Sequence, residues 1–217
     1  MAVRVCIQIM NLYAQQGMEQ NRMKRLWCRY VAVVLFLLSP CCVAHAAIGE
    51  RDSDVTTFLG IPVDGKPEDV KKHLRGKGFV VAKEFGQNFF SGEYEGERVI
   101  LCVASNKGRV ARIGVTDAMT RSAEEIKKRY NALIKRYAED ENYVSFEGDN
   151  ELIADNEDVD YELRTNDKVY EADFYQQPKD ENASREVMEK KFVWFKICED
   201  GGYFYIVMFF DNVYNLE

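Results

Sequence analysis

Histidine, proline and long apolar runs are what this 217-residue sequence has least of, with two histidines and four prolines in all. Beyond residue 46 one histidine remains, His73, set beside Lys72 in a charged stretch where a solvated helix residue is expected. One histidine and two distant cysteines give no zinc-ligand spacing. A Ser-His-Asp triad would have to use His73, and no serine sits in a G-x-S-x-G elbow. Walker and dinucleotide glycine patterns are missing too. Gly92 and Gly96 bracket Glu93, Tyr94 and Glu95, whose charges repel a phosphate rather than cradle it. These absences argue against zinc enzymes, serine hydrolases and nucleotide cofactors. No run approaches the roughly 20 apolar residues of a membrane-spanning helix, which argues against a transmembrane span.

The longest apolar run, Val31 to Leu38, has instead the flanks of a secretory signal: Lys24, Arg25 and Arg29 before it, Ser39-Pro40 after it, then Ala44-His45-Ala46 as an A-x-A cleavage site. Residues 1–46 read as a signal peptide cleaved after Ala46, so the protein is expected in the periplasm or cell envelope. Such signals begin shortly before their basic residues, and Met23 is therefore expected to be the initiator. The alternative is a lipoprotein signal acylated at Cys41 or Cys42. Pro40 or Cys41 would then precede the acylated cysteine, where a small residue is expected.

Residues 1–46 hold five of the 29 basic and one of the 36 acidic side chains, which leaves residues 47–217 with a net charge of −11. An acidic surface repels phosphate backbones, so nucleic acid is not an expected partner. Four of the six cysteines also fall in the leader, leaving Cys102 and Cys198. Two readings of that pair stay open: a disulfide, which an exported protein can keep, or two buried thiols, since both lie in apolar strand-like stretches.

After a polar leader at 47–57, residues 58–217 carry the pattern of one α+β domain. Asp64-Gly65 turns the chain into Pro67, and a short helix follows with Glu68 and Asp69 early, Arg75 late, Val70 and Leu74 on one face, and Gly76 or Gly78 at its end. Four strand-like runs, 79–83, 89–94, 98–104 and 110–116, are punctuated by glycines and read as an antiparallel meander. A second helix opens on a capping box, Ser122 with Glu125, and places Ile126, Tyr130, Leu133, Ile134 and Tyr137 on one face. Further strands are expected at 143–146, 161–165, 169–175, 191–198 and 203–210, the last two joined by Glu199-Asp-Gly-Gly202. Gln176 to Ala183 reads as an exposed excursion leading into a helical turn. The expected fold is an antiparallel sheet, or two, with both main helices on one face. The order helix, strands, helix, strands, and the likeness of Glu68–Lys72 to Glu124–Lys128, raise the alternative of a tandem α-β(4) repeat, 58–117 and 118–217.

Two stretches could carry a site. In the acidic run 147–162, Asp155, Glu157, Asp158 and Asp160 offer oxygens for calcium, without EF-hand spacing; a solvated acidic loop is the rival reading. In the last strand Phe204, Ile206, Met208 and Phe210 make one face apolar, while Tyr203, Tyr205, Val207 and Phe209 make the other aromatic. If that second face is open, Tyr203 and Tyr205, extended by Tyr170, Phe174 and Tyr175, would form a binding surface.

The segments Phe58-Leu-Gly-Ile-Pro-Val-Asp-Gly65, Arg112-Ile-Gly-Val-Thr-Asp117, Tyr170-Glu-Ala-Asp-Phe-Tyr-Gln176 and Phe209-Phe-Asp-Asn-Val-Tyr-Asn215 resemble those of exported, uncharacterised proteins of Bacteroides-type bacteria. That resemblance implies export and an envelope setting and supplies no catalytic residues. The expected function is a non-catalytic module that binds an envelope protein or glycan. The alternative is a small envelope hydrolase using carboxylates that sequence does not single out. Neither reading sets an oligomeric state.

Overall fold

The computed structural model describes residues 54–146 and 150–216. The signal segment with Met23, Cys41, Cys42 and Ala46, and the acids Glu147 and Asp149, lie outside the described residues.

Thr57–Phe58 (β1) and Ile61–Pro62 (β2) form a two-stranded ribbon that leads into helix α1, Pro67–Gly76. Proline sits at the start of α1, with its fixed φ and missing N–H. The helix stops because Gly78 takes φ +92°, so that the Gly78 and Phe79 amides reach back to the carbonyls of Arg75 and Leu74, at 3.0 and 3.1 Å. Phe79 is then delivered against the core beside Leu74.

The chain next runs as β3 (Val80–Val81), β4 (Phe89–Tyr94), β5 (Glu97–Asn106) and β6 (Arg109–Asp117). Two-residue loops, Glu95-Gly96 and Lys107-Gly108, join β4 to β5 and β5 to β6, with positive φ at every position. That backbone matches the twist of the strands it connects. Helix α2, Ala123–Glu139, begins on the Ser122/Glu125 capping box, and its five predicted apolar residues are all buried. Then follow β7 (Tyr143–Val144), α3 (Val159–Thr165), β8 (Glu171–Gln176), α4 (Arg185–Met188), β9 (Lys191–Asp200), β10 (Tyr203–Asn212) and α5 (Val213–Leu216). Among the described residues no helix is long and apolar enough to cross a membrane.

The strand expected at 161–165 is corrected: this segment is α3. The Asp158 side chain accepts a hydrogen bond from the Tyr161 amide and caps the turn, and Val159 and Leu163, four apart, both pack on the core.

β3 to β10 make one eight-stranded antiparallel sheet in the order β3-β4-β5-β6-β10-β9-β8-β7. The order reads alike from either edge. Each half of the chain supplies one main helix and four strands of this sheet, and the last strand of each half, β6 or β10, lies at the central seam. Val70 and Leu74 of α1 and the buried face of α2 belong to one apolar cluster with Phe90, Leu101, Ile113, Phe210, Phe195 and Phe174, so both helices cover the same face. The protein is α+β, with an antiparallel sheet and its main helices on one side.

Candidate functional site

Strand alternation sends every second side chain to the face opposite the helices. There β10 places Tyr205, Val207, Phe209 and Asp211, β9 places Phe192, Trp194 and Cys198, β8 places Tyr175, and β6 places Arg112. The apolar cluster on this face is drawn from strands and loops; no described helix contributes to it.

Across three strands and the β7 end the rings form a row. Phe146 lies 4.9 Å from Tyr175, Tyr175 5.2 Å from Phe192, Phe192 6.3 Å from Trp194, and Trp194 4.4 Å from Phe209, centroid to centroid. Interplanar angles of 19° to 44° make this a run of tilted stacks. Register explains the spacing: Tyr175 is the cross-strand partner of Phe192, and Trp194 that of Phe209. Phe209 is buried, whereas Phe146, Tyr175, Phe192 and Trp194 are half-buried and reach solvent.

An ion pair anchors the inner end of the row. Arg112 and Asp211 are cross-strand partners, and the guanidinium grips the carboxylate through two bonds, Nε to Oδ1 at 2.5 Å and Nη2 to Oδ2 at 2.6 Å. The Trp194 indole N–H donates to the same Oδ2 at 3.0 Å, and the Arg112 guanidinium carbon lies 4.5 Å from the Phe209 ring centre. Both side chains are buried, so the pair holds Trp194 and Phe209 in fixed orientation.

Of the five aromatic residues singled out in the sequence, the structure brings three to this face. Tyr175 joins the row, Tyr205 is fully buried in the middle of the face, and Tyr203 stands 60% exposed beside the Gly201-Gly202 turn. Tyr170 and Phe174 go to the helix side: the Tyr170 hydroxyl donates to Glu157 at 2.6 Å, and Phe174 stacks on Phe195 at 6.0 Å. Sequence reasoning missed Phe146, Phe192, Trp194 and the Arg112–Asp211 pair. The alternation Phe192, Trp194 against Val193, Phe195 was a readable signal that β9 carries rings on both faces.

Cys102 and Cys198 are buried thiols outside any disulfide, and the disulfide reading is corrected. Cys102 on β5 is in line with Gly114, Phe209 and Trp194, and Cys198 lies four residues beyond Trp194 on β9. Three strand spacings put them about 14 Å apart sideways and four residues about 13 Å apart lengthways, far beyond disulfide reach. Burial pushes the Cys102 thiol up to about 12, against a small opposing pull from Arg112, which leaves it inert.

Of the four carboxylates proposed for calcium, three have a local task, and Asp155 takes part through its backbone. Asp158 caps α3, Asp160 pairs with Arg164, and Glu157 bonds Lys168 and Tyr170; the Asp155 and Glu157 carbonyls both accept from the buried Lys127 ammonium, at 2.8 and 3.0 Å. Among the described residues no three metal-ligating groups come together. Another carboxylate, Asp117, is pushed above its ordinary value by burial, partly offset by Arg129 and Arg121. Its side chain is only 4% exposed and lies 2.6 Å from Arg121 and 3.6 Å from Arg129, the geometry of a braced ion cluster. His73 is exposed on α1.

Comparison with known proteins finds no matching family model, no matching curated protein and no matching solved structure.

Proposed function

We propose that this protein is an exported, non-catalytic binding module of the bacterial envelope, and that it takes a protein partner on the helix-free face, along the row Phe146-Tyr175-Phe192-Trp194. The half-buried row of rings, braced by a buried ion pair, is the observation that carries this reading. Large, rigid side chains lose little conformational entropy when covered, and Trp, Tyr and Arg dominate the energetics of protein interfaces.

Ring geometry favours protein over glycan. A sugar needs an open ring face, but these rings are stacked or tilted against one another along the row. The net charge of −11 over residues 47–217 makes a partner with a basic rim around an apolar centre the complementary one. The resemblance to exported proteins and the leader of residues 1–46 support the envelope setting.

The test is photo-cross-linking in the native cell envelope from a probe residue at position 192, with a control probe at Lys128 on the exposed side of α2. A protein adduct formed from position 192, absent from 128 and lost on Trp194→Ala, is expected. Adducts that are the same from both positions would refute the docking face. Glycan-array binding abolished by Trp194→Ala would replace the protein partner with a carbohydrate.

A further inference from the structure

A second feature lies away from the ring row, where the segment before β8 folds over α2 and leaves a recess of about 230 Å³ lined by Tyr130, Glu151, Ile153, Glu157, Lys168 and Tyr170. Two asparagines fix its walls by acting as substitute strand neighbours. Asn131 bonds both the amide and the carbonyl of Ile153, at 2.9 and 2.8 Å, and Asn150 does the same for Asp173, at 2.7 and 2.8 Å. The recess is therefore held open by hydrogen bonds rather than by loose loop packing.

Its chemistry is that of a cation seat. Tyr130 and Tyr170 meet edge to face at 6.3 Å, the Tyr170 hydroxyl holds Glu157 at 2.6 Å, and Glu151 stands exposed on the rim. The protein's own Lys168 shows how an ammonium fits: its Nζ bonds Glu157 and lies 5.0 Å over the Tyr170 ring. That bond, with the charges of Glu157, Glu162 and Glu151, raises the Lys168 ammonium above its ordinary value despite some desolvation. One group is left over. Tyr130 is 2% exposed, and its hydroxyl makes no hydrogen bond to any described residue. Burial first, then the charges of Glu171 and Asp173, hold it above its ordinary value, and both Tyr130 and Glu171 line the recess. An unpaired hydroxyl lining a recess is open to a hydrogen bond from a guest.

We propose that this recess binds an organic cation, a primary ammonium or a guanidinium, which displaces Lys168 from Glu157, lies over the Tyr170 ring and donates a hydrogen bond to the Tyr130 hydroxyl. The source is either a free small amine or a basic side chain of a polypeptide. The reading is independent of the ring row.

Lys168 is the lever of the test, because it competes with the guest. Amide chemical shifts of the purified protein and of Lys168→Met are followed by NMR during titration with 1,4-diaminobutane, N-acetyl-lysine amide and N-acetyl-arginine amide. The neutral Nε-acetylated lysine amide serves as control. Saturable shifts at residues 151–157 and 168–171 are expected, about tenfold tighter in Lys168→Met, the factor that goes with freeing one charge-assisted hydrogen bond. Adding Tyr130→Phe to Lys168→Met should weaken binding by about fivefold, the loss of one ordinary hydrogen bond, with shifts elsewhere unchanged. Tighter binding of the diamine would mark a free amine as the source; tighter binding of an amino-acid amide would mark a basic side chain. Absence of saturable shifts in Lys168→Met, or equal binding of the acetylated control, would overturn the proposal.

Discussion

The two faces of the sheet are both rich in rings and are built for opposite ends. Under the helices, Phe174, Phe195, Tyr130 and Tyr137 pack in tilted, stacked and edge-on contacts between 5.3 and 6.0 Å, and Tyr94 and Tyr137 satisfy their hydroxyls on each other at 2.8 Å. On the other face the row runs outward from a buried ion pair to half-buried rings. Burial by helices turns aromatic residues into stability, whereas rings that reach the surface keep their desolvation energy for a partner. Adjacent residues of one strand fall on the two sides of this division, and substitution can weigh them against each other.

The largest effect is expected on the sealed side. Phe195→Ala should cost about 4 kcal/mol, since the cavity would open among three other rings, Tyr130, Tyr137 and Phe174, and the denaturant midpoint reads this directly. Asp211→Ala should cost about 3 kcal/mol on the other face, because it strands a buried guanidinium and the Trp194 N–H; a loss below about 1 kcal/mol would show the pair to be incidental. Gly92→Ala should cost about 2 kcal/mol. A Cβ there would come 2.3 Å from the Phe79 ring, which must either move or break the stop of α1. Phe192→Ala should lower stability by only about 1 kcal/mol, as befits a half-buried side chain, while removing most of the cross-link to a partner. If it destabilises as much as Phe195→Ala, the second face is core and the comparison fails.

The smallest effect expected is on pH dependence. Asp64 is partly desolvated, which raises its pKa, but hydrogen bonds from Arg109 and Asn215 outweigh this and hold it below the ordinary carboxylate range. Its contribution is therefore present above the unfolded value of about 3.9 and is lost as pH falls through the depressed folded value. Asp54, tied to Lys191, behaves alike. Asp64→Asn should lose less stability than the parent between neutral pH and pH 3, measured by urea midpoints.

Local signals carried much of this fold. The Ser122/Glu125 box, the apolar stripe of α2 and the glycine loops at 96, 108 and 201–202 each act within a few residues, and all are where the sequence puts them. Tyr161 to Thr165 misleads because polar and apolar residues alternate there, as in a strand, while the decisive group is the Asp158 cap three residues upstream. The seam is of another kind. Its two strands, at 109–117 and 203–212, are far apart along the chain, and no local pattern pairs Arg112 with Asp211. Because that pairing sets which face of β10 lies under the helices, the ring row was only half legible: Tyr175 could be named, but Phe192 and Trp194 gain their meaning from neighbours on other strands.

The palindromic strand order has a consequence for behaviour in a crowded compartment. With both long, well-paired strands of the seam at the centre, the sheet ends on each side in a strand of two residues, β3 and β7. An incoming chain would find only a two-residue strand to pair with at either tip of the sheet. Strands this short at the borders offer little template for growth into polymers at high concentration, which bears on a sheet that also brings half-buried rings to one surface.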